Sequence, residues 1–235
     1  MTPLVPPPEV KPRYVRAMFA GTARRYDLMN RLMTFGRDRA WRRLVVQACA
    51  LPPGGRLLDV ATGTGDIALE ALRLRHDVRV IGADFTHEMM RIAQSKDRDG
   101  RIPFVEADAL CLPFADHTFD AACSGFLMRN VVDVAAAFAE QRRVVRSGGR
   151  VVCLEITRPN TPIWRDLFRL YFFHFVPRIM ALASSHRRAY AYLPASTLTF
   201  PRPPELKAIM EGVGLRNVTY RVLMLGTIAI HVGEV

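Results

Sequence analysis

The stretch RLLDVATGTGDIAL, from Arg56 to Leu69, restricts the fold more than any other part of the chain. Leu57 to Ala61 is apolar apart from the single carboxylate of Asp59, the pattern of a strand buried on both faces. Gly63-Thr64-Gly65 follows, and Ile67 to Leu74 then places apolar residues at helical spacing. A buried strand that turns through glycines straight into a helix points to a parallel sheet, because a parallel neighbour is reached only by a crossover.

The alternation continues along the chain. VRVIGAD reads as a second strand ending in Asp84, a helix follows from His87 to Ser95, and IPFVEAD is a third strand. TFDAACSG is a fourth strand, Val134 to Val145 a helix, and GGRVVCLEI a fifth strand. Ahead of them lie two helical patterns, Arg13 to Met33 and Arg37 to Ala50, closed by Pro52, Pro53, Gly54 and Gly55. This rhythm predicts an α/β fold with a mainly parallel sheet covered by helices on both faces. The 235 residues are expected to form one domain over 13–235, preceded by a flexible, proline-rich leader over 1–12.

Ligands of such sheets bind beyond the carboxyl ends of the strands. The glycines allow the backbone to approach a ligand closely. GTGDIA fits a loose GxGxxA dinucleotide fingerprint, with Asp84 nineteen residues past Gly65. A carboxylate there would bond ribose hydroxyls in either a nicotinamide dinucleotide or S-adenosylmethionine. The loop alone therefore leaves both open, together with a bare phosphate and a strand-to-helix turn that binds nothing. Three features favour S-adenosylmethionine. Asp59 ends the first strand, where it can accept bonds from the loop or meet a methionine amine. Asp108, with Ala109 beside it, ends the third strand, where an adenine amino group can be gripped. ALCLPFADHTFDAACSG then leads into the fourth strand, which closes on Gly125. The predicted cofactor set is Asp59, Gly63, Thr64, Gly65, Asp84, Asp108, Ala109 and Gly125.

These blocks resemble class I methyltransferases, the seven-stranded Rossmann-like family, in which the acidic residue after the second strand binds ribose and the one after the third lies by the adenine. YDLMNRLMTFGRDRAW, Tyr26 to Trp41, is similar to the N-terminal signature of the quinone C-methyltransferases of menaquinone and ubiquinone biosynthesis. RNV at Arg129 to Val131, RRVVRSGGRVVCLEIT at Arg142 to Thr157, HFVPRI at His174 to Ile179 and YAYLPASTLTFP at Tyr190 to Pro201 continue the likeness in order. The likeness covers nearly the whole chain after Val15 and implies a helical, substrate-covering insertion over residues 160–200. The chain also departs from the signature. Thr34 stands for serine, Asp38 for histidine, and Arg146-Ser147 for Lys-Pro. GFLMRN replaces SFGLRN through Gly125, Leu127 and Met128, and Arg187 and Arg188 precede Tyr190 where an acidic residue is common.

The resemblance implies transfer of a methyl group from S-adenosylmethionine to a ring carbon of a reduced, prenylated quinone precursor. Diverged O- or N-methylation, or cofactor binding without catalysis, are the alternatives. The phenolic hydroxyl of such a ring has a pKa of about 10, like tyrosine. Removing or polarising its proton makes the neighbouring carbon nucleophilic. That carbon attacks the sulfonium methyl in line, and a ring proton leaves afterwards. Much of the catalysis is then positioning and exclusion of water.

The catalytic candidates are Arg129, to stabilise a phenolate or orient a water, Asn130, to hold a ring oxygen, and His174, as a proton acceptor. Asn130 equally suits a helix N-cap. His174 equally suits a core, and Glu155 reads as a carboxylate at the core's edge held by backbone donors. Tyr190, Tyr192 and Phe172 are candidates for substrate contact. Trp164, Leu167, Phe168, Tyr171, Phe172 and Phe175 recur at helical spacing before Pro177, which suits a core-packing helix or a lid over a prenyl pocket.

The formal charge of +11 raises the question of an anionic partner. Only Lys11, Lys96 and Lys207 are lysines among the 33 basic residues; the rest are arginines spread along the chain with no RNA-binding signature. Nucleic acid is therefore not expected as a partner, whereas an anionic membrane surface is. Cys49, Cys111, Cys123 and Cys153 show no paired spacing and the six histidines are scattered, so neither disulfides nor a metal site are expected. No uncharged apolar run of about 18 residues and no signal peptide is read. The expected location is the cytoplasm, with contact at the inner face of the membrane where a lipid-tailed quinol resides.

Overall fold

The computed structural model describes residues 5–171, 176 and 187–235, without the side chains of 187–191. Two helices, α1 (Lys11–Thr34) and α2 (Asp38–Ala48), precede the sheet. The alternating part runs β1 (Arg56–Val60), α3 (Asp66–Leu74), β2 (Arg79–Asp84), α4 (His87–Lys96), β3 (Phe104–Glu106), β4 (Phe119–Gly125), α5 (Val134–Val144) and β5 (Val145–Ile156). Then come α6 (Pro162–Leu170), α7 (Arg187–Thr199), α8 (Pro203–Gly212), β6 (Arg216–Leu223) and β7 (Ile228–Glu234).

The strands form one seven-stranded sheet in the order β3-β2-β1-β4-β5-β7-β6. Pairing is parallel from β3 through β5, and β7 runs antiparallel to both of its neighbours. The order reverses between β1 and β4. Loops leaving these two strands diverge to opposite sides, which opens a crevice at their carboxyl ends.

The continuous apolar run of β1 has the expected cause. Leu57 and Leu58 are both fully buried, and they join different core clusters on the two faces of the sheet. Leu58 packs with Met128, Phe138, Leu206 and Met210. Leu57 packs with Val45, Ile67, Ala68 and Ile230.

The elements differ from expectation at four places. The helix α1 starts at Lys11, inside the stretch expected as leader, and Lys11 Nζ donates to the Val131 carbonyl at 2.6 Å. β3 is shorter than IPFVEAD, and Asp108 instead forms an isolated bridge with Cys111. β5 begins at Val145, because that residue already pairs with Phe119 across a bulge. The N-cap of α5 is Asp133, whose carboxylate accepts the Ala136 N–H at 2.9 Å, so Asn130 does not cap this helix. Phe172, His174, Phe175 and Pro177 lie outside the described residues. Among the described residues no helix is long and apolar enough to cross a membrane, and no cluster could hold a metal ion.

Candidate active site

The glycine loop is organised by Asp59. Its carboxylate is buried at the end of β1 and accepts the Thr62 hydroxyl at 2.7 Å and the Ala68 N–H at 3.1 Å on one oxygen. The Cys123 thiol lies 3.7 Å from the other. Burial pushes the Asp59 carboxyl up to about 7, with these donors opposing the shift. Of the two contacts expected for Asp59, the one to the loop is present, and Asp59 is not among the residues that line the crevice.

Thr64 and Gly65 also stand behind the crevice wall. The Thr64 hydroxyl donates to Asp27 Oδ1 at 2.6 Å. Gly65 begins α3 with φ of +78°, and a Cβ built on it would lie 2.9 Å from the Ala93 Cβ of α4. None of these three residues is among those that line the crevice. They hold the loop and pack α3 on α4.

Gly63, Asp84, Asp108, Ala109 and Gly125 do line the crevice, which has a free volume of about 80 Å³. Pro12, Val15 and Phe19 of α1 roof it. Asp84 accepts the Gly63 N–H at 2.8 Å on one oxygen and the Thr86 N–H at 2.7 Å on the other. Burial raises its carboxyl above the usual range, against the pull of those donors. Asp108 accepts the Leu110 N–H at 2.9 Å on Oδ1.

A second cavity of about 470 Å³ adjoins the crevice. Phe19, Tyr26, Phe126 and Asn130 line both and form the passage between them. The larger cavity is walled mainly by apolar side chains, including Met18, Met29, Met33, Trp41, Trp164 and Phe168. Its polar groups include Arg129, Asn130 and Tyr192, which the sequence singled out, and Tyr26, Thr34 and Asp38, which were quoted in a signature without a role. A usable signal for Tyr26 was present: Tyr26, Asn30 and Met33 share one face of α1 by helical spacing.

Arg129 is buried and paired with Glu155, whose second oxygen accepts the Arg129 backbone N–H at 3.3 Å. Glu155 also accepts the Ile156 N–H at 2.9 Å, so backbone donors do hold this carboxylate, together with the guanidinium. The Arg129 guanidinium carbon lies 5.5 Å from the centre of the Phe126 ring. Asn130 Nδ2 donates to the Phe126 carbonyl at 2.8 Å, which points its Oδ1 elsewhere. Burial pushes the Tyr192 phenol up to about 12 and raises that of Tyr26. Arg129 Nε, Asn130 Oδ1 and the Tyr192 hydroxyl are all buried without a partner among the described residues. Asn30 Nδ2 on the same wall is likewise unpartnered, and buried polar atoms are rarely left so, so these four atoms call for a polar ligand. Of the remaining candidates, His174 and Phe172 lie outside the described residues. Tyr190 falls in α7 with its side chain likewise outside the description.

Residues 8–234 match the ubiE/COQ5 methyltransferase family. The chain belongs to that family. A demethylmenaquinone methyltransferase of Roseiflexus sp. (strain RS-1) is 47% identical over 232 residues, covering 99% of this chain and 98% of its own. A ubiquinone/menaquinone biosynthesis C-methyltransferase of Geobacter sp. (strain M21) is 43% identical over 224 residues, covering 93% and 95%. The crystal structure of a SAM-dependent methyltransferase from Thermotoga maritima superimposes with a TM-score of 0.64 at 18% identity, covering 93% of this chain and 98% of that one, which bears out the fold. As a member of the ubiE/COQ5 methyltransferase family, the chain is an S-adenosylmethionine-dependent enzyme.

The crevice fits that cofactor. Asp84 lines the crevice with each oxygen bonded to a backbone N–H, and a carboxylate at this place suits two vicinal ribose hydroxyls. Asp108 Oδ2 has no partner among the described residues and can accept from an adenine amino group. Gly125 presents no side chain at the mouth of β4.

Proposed function

We propose that this methyltransferase transfers the methyl group of S-adenosylmethionine to a ring carbon of a reduced, prenylated quinone precursor such as a demethylmenaquinol. The observation that supports this most is the pairing of a narrow, carboxylate-bearing crevice with a large apolar cavity through a passage formed by Phe19, Tyr26, Phe126 and Asn130. The names of the relatives supply the quinone. Bound in the crevice through Gly63, Asp84, Asp108, Ala109 and Gly125, the cofactor supplies an electrophilic methyl group.

The chain's own groups do the rest. Arg129, held by Glu155, donates to the developing phenolate through N–H groups that the ion pair leaves over. Asn130 Oδ1 accepts from a ring hydroxyl, and Tyr192 meets the second ring oxygen. Tyr190, Phe172 and His174 remain proposed members of the same site. The methionine and aromatic walls exclude water, which strengthens these bonds. We read α1 through β7 as one domain in which α1, α2, α6 and α7 cover the substrate.

Membrane contact is part of the proposal. Ile163, Leu167 and Leu170 of α6 are exposed, as are Phe35 and Leu225, while Leu167, Phe35 and Leu225 also line the cavity. Arg165 and Arg169 lie on the same helix. This apolar rim suits a bilayer surface from which a prenyl chain enters the cavity.

Turnover on quinol extracted from a strain lacking quinone methylation tests the reaction. The product should carry the new methyl on a ring carbon, by mass spectrometry and NMR. Methylation at oxygen or nitrogen, or tight binding of S-adenosylhomocysteine without turnover, would replace this function with one of the alternatives.

A further inference from the structure

We propose that Asp38, together with Thr34, receives the ring proton released after methyl transfer, a role that rests on the quinol reading above. Asp38 is the only carboxylate among the described residues that line the larger cavity. Its side chain is 2% exposed, so its place in a mainly apolar wall is a built feature and not a surface accident. Burying a carboxylate is expensive unless partners hold it. Here Arg42 donates to Oδ2 at 2.6 Å and the Thr34 hydroxyl to Oδ1 at 3.0 Å. Each oxygen keeps an unused lone pair.

Thr34 lines the cavity as well. Its oxygen can accept a proton from the cavity while its own proton moves to Asp38 Oδ1. The chemistry requires such an acceptor. Attack by the phenolate's ring carbon forms the new C–C bond and breaks the C–S bond. The ring becomes a dienone whose tetrahedral carbon carries both the original hydrogen and the new methyl. Breaking that C–H bond returns its electron pair to the ring and restores the aromatic phenolate. The proton goes through the Thr34 hydroxyl to Asp38, and from there to the phenolate oxygen or to water. No other carboxylate and no imidazole is found among the described residues that line the cavity. Arg129 has only donors, Asn130 is a neutral amide, and burial keeps Tyr26 and Tyr192 in their protonated phenol form.

The experiment uses the full chain, a short-tailed demethylquinol and the same quinol deuterated at the carbon to be methylated. Asp38→Asn should lower kcat by about 10²-fold. KM and affinity for S-adenosylhomocysteine should stay near the wild-type values. A primary deuterium isotope effect larger than the wild-type one should appear, because C–H cleavage becomes rate-limiting. Asp38→His restores a proton acceptor and should recover part of kcat while reducing the isotope effect. A purely structural Asp38 would move none of these isotope effects, so a folded Asn variant without one overturns the assignment. Should that variant fail to fold, Thr34→Val, which leaves the Asp38–Arg42 pair in place, must show the isotope effect; its absence overturns the assignment equally. Wild-type protein that does not turn over the quinol would refute the quinol reading instead.

Discussion

Replacing Gly65 by alanine separates a glycine that packs helices from one that faces a ligand. Gly65 sits at φ +78°, where a residue with a Cβ is strained by about 1–2 kcal/mol. The added Cβ would stand 2.9 Å from the Ala93 Cβ and 3.4 Å from its Cα. Neither atom can yield by a rotamer change, so α4 itself must shift, and overpacking of this kind costs about 1–3 kcal/mol. The sum, about 2–5 kcal/mol, is a large share of the roughly 5–15 kcal/mol that stabilises a domain. At about 2–4 °C per kcal/mol for a chain of this length, Tm should fall by about 4–20 °C. Affinity for S-adenosylhomocysteine, measured by calorimetry well below Tm, should change by no more than a few-fold, because Gly65 does not line the crevice. Ala93→Gly removes the Cβ–Cβ clash at a helix-propensity cost of about 1 kcal/mol. The double variant should therefore lose less stability than the two single changes added together. Wild-type Tm with a collapse of cofactor affinity would refute this reasoning and return Gly65 to the cofactor.

Asp84→Ala should weaken cofactor binding by about 1.5–3 kcal/mol in calorimetry, since charged hydrogen bonds to the ribose are lost; unchanged affinity would remove Asp84 from the site. Arg129→Lys keeps the charge but cannot hold Glu155 and reach the cavity with one planar fork. Its kcat should fall while cofactor affinity holds, and unchanged turnover would leave Arg129 a structural residue. Asp133→Ala should cost about 1 kcal/mol in urea unfolding through loss of the α5 cap, whereas a null effect would mean the cap bond contributes nothing. The chain should co-sediment with anionic vesicles at low salt and release at high salt, at about 1 kcal/mol per basic residue near the surface. Leu167→Ser should weaken that binding, and retention by neutral vesicles alone would contradict the electrostatic part.

The parallel half of the sheet was legible because β1, β2, β4 and β5 are mainly buried on both faces and the crossovers are amphipathic, whereas the half-exposed edge strand β3 is shorter than its apolar run suggested. The hairpin of β6 and β7 gave no such signal. The β6 run RNVTYRVL mixes exposed polar and apolar residues as an edge strand does, and only the likeness to seven-stranded methyltransferases implied it. The placement of Asp84 and Asp108 on the crevice was legible because residues at the ends of parallel strands open onto it. Asp59 and Gly65 looked the same in sequence and differ in space. Which way a carboxylate at a strand end turns depends on donors such as Thr62 and Cys123, and Cys123 lies 64 residues away.

The walls supplied by α1 and α2 were the least legible part, and their charges show what places them. Thr64 donates to Asp27, Lys96 joins Asp27 to Asp66, Arg42 joins Asp66 to Asp38, and Thr34 closes the series on Asp38. The chain of contacts runs from the glycine loop to the wall of the larger cavity through partners up to 69 residues apart, a relation that no local pattern reports. Removing one member of a buried pair leaves its partner's charge uncompensated, so such a series resists sliding of one helix past another. The same α1 that it anchors roofs the crevice with Val15 and Phe19 and walls the cavity with Tyr26, Met29 and Met33. One helix therefore shapes both the crevice proposed for the methyl donor and the cavity proposed for the accepting ring. Two reacting centres must be aligned to within a fraction of an ångström, and a single rigid element fixed to the cofactor loop by ion pairs does this with fewer independent motions than two separate lids would.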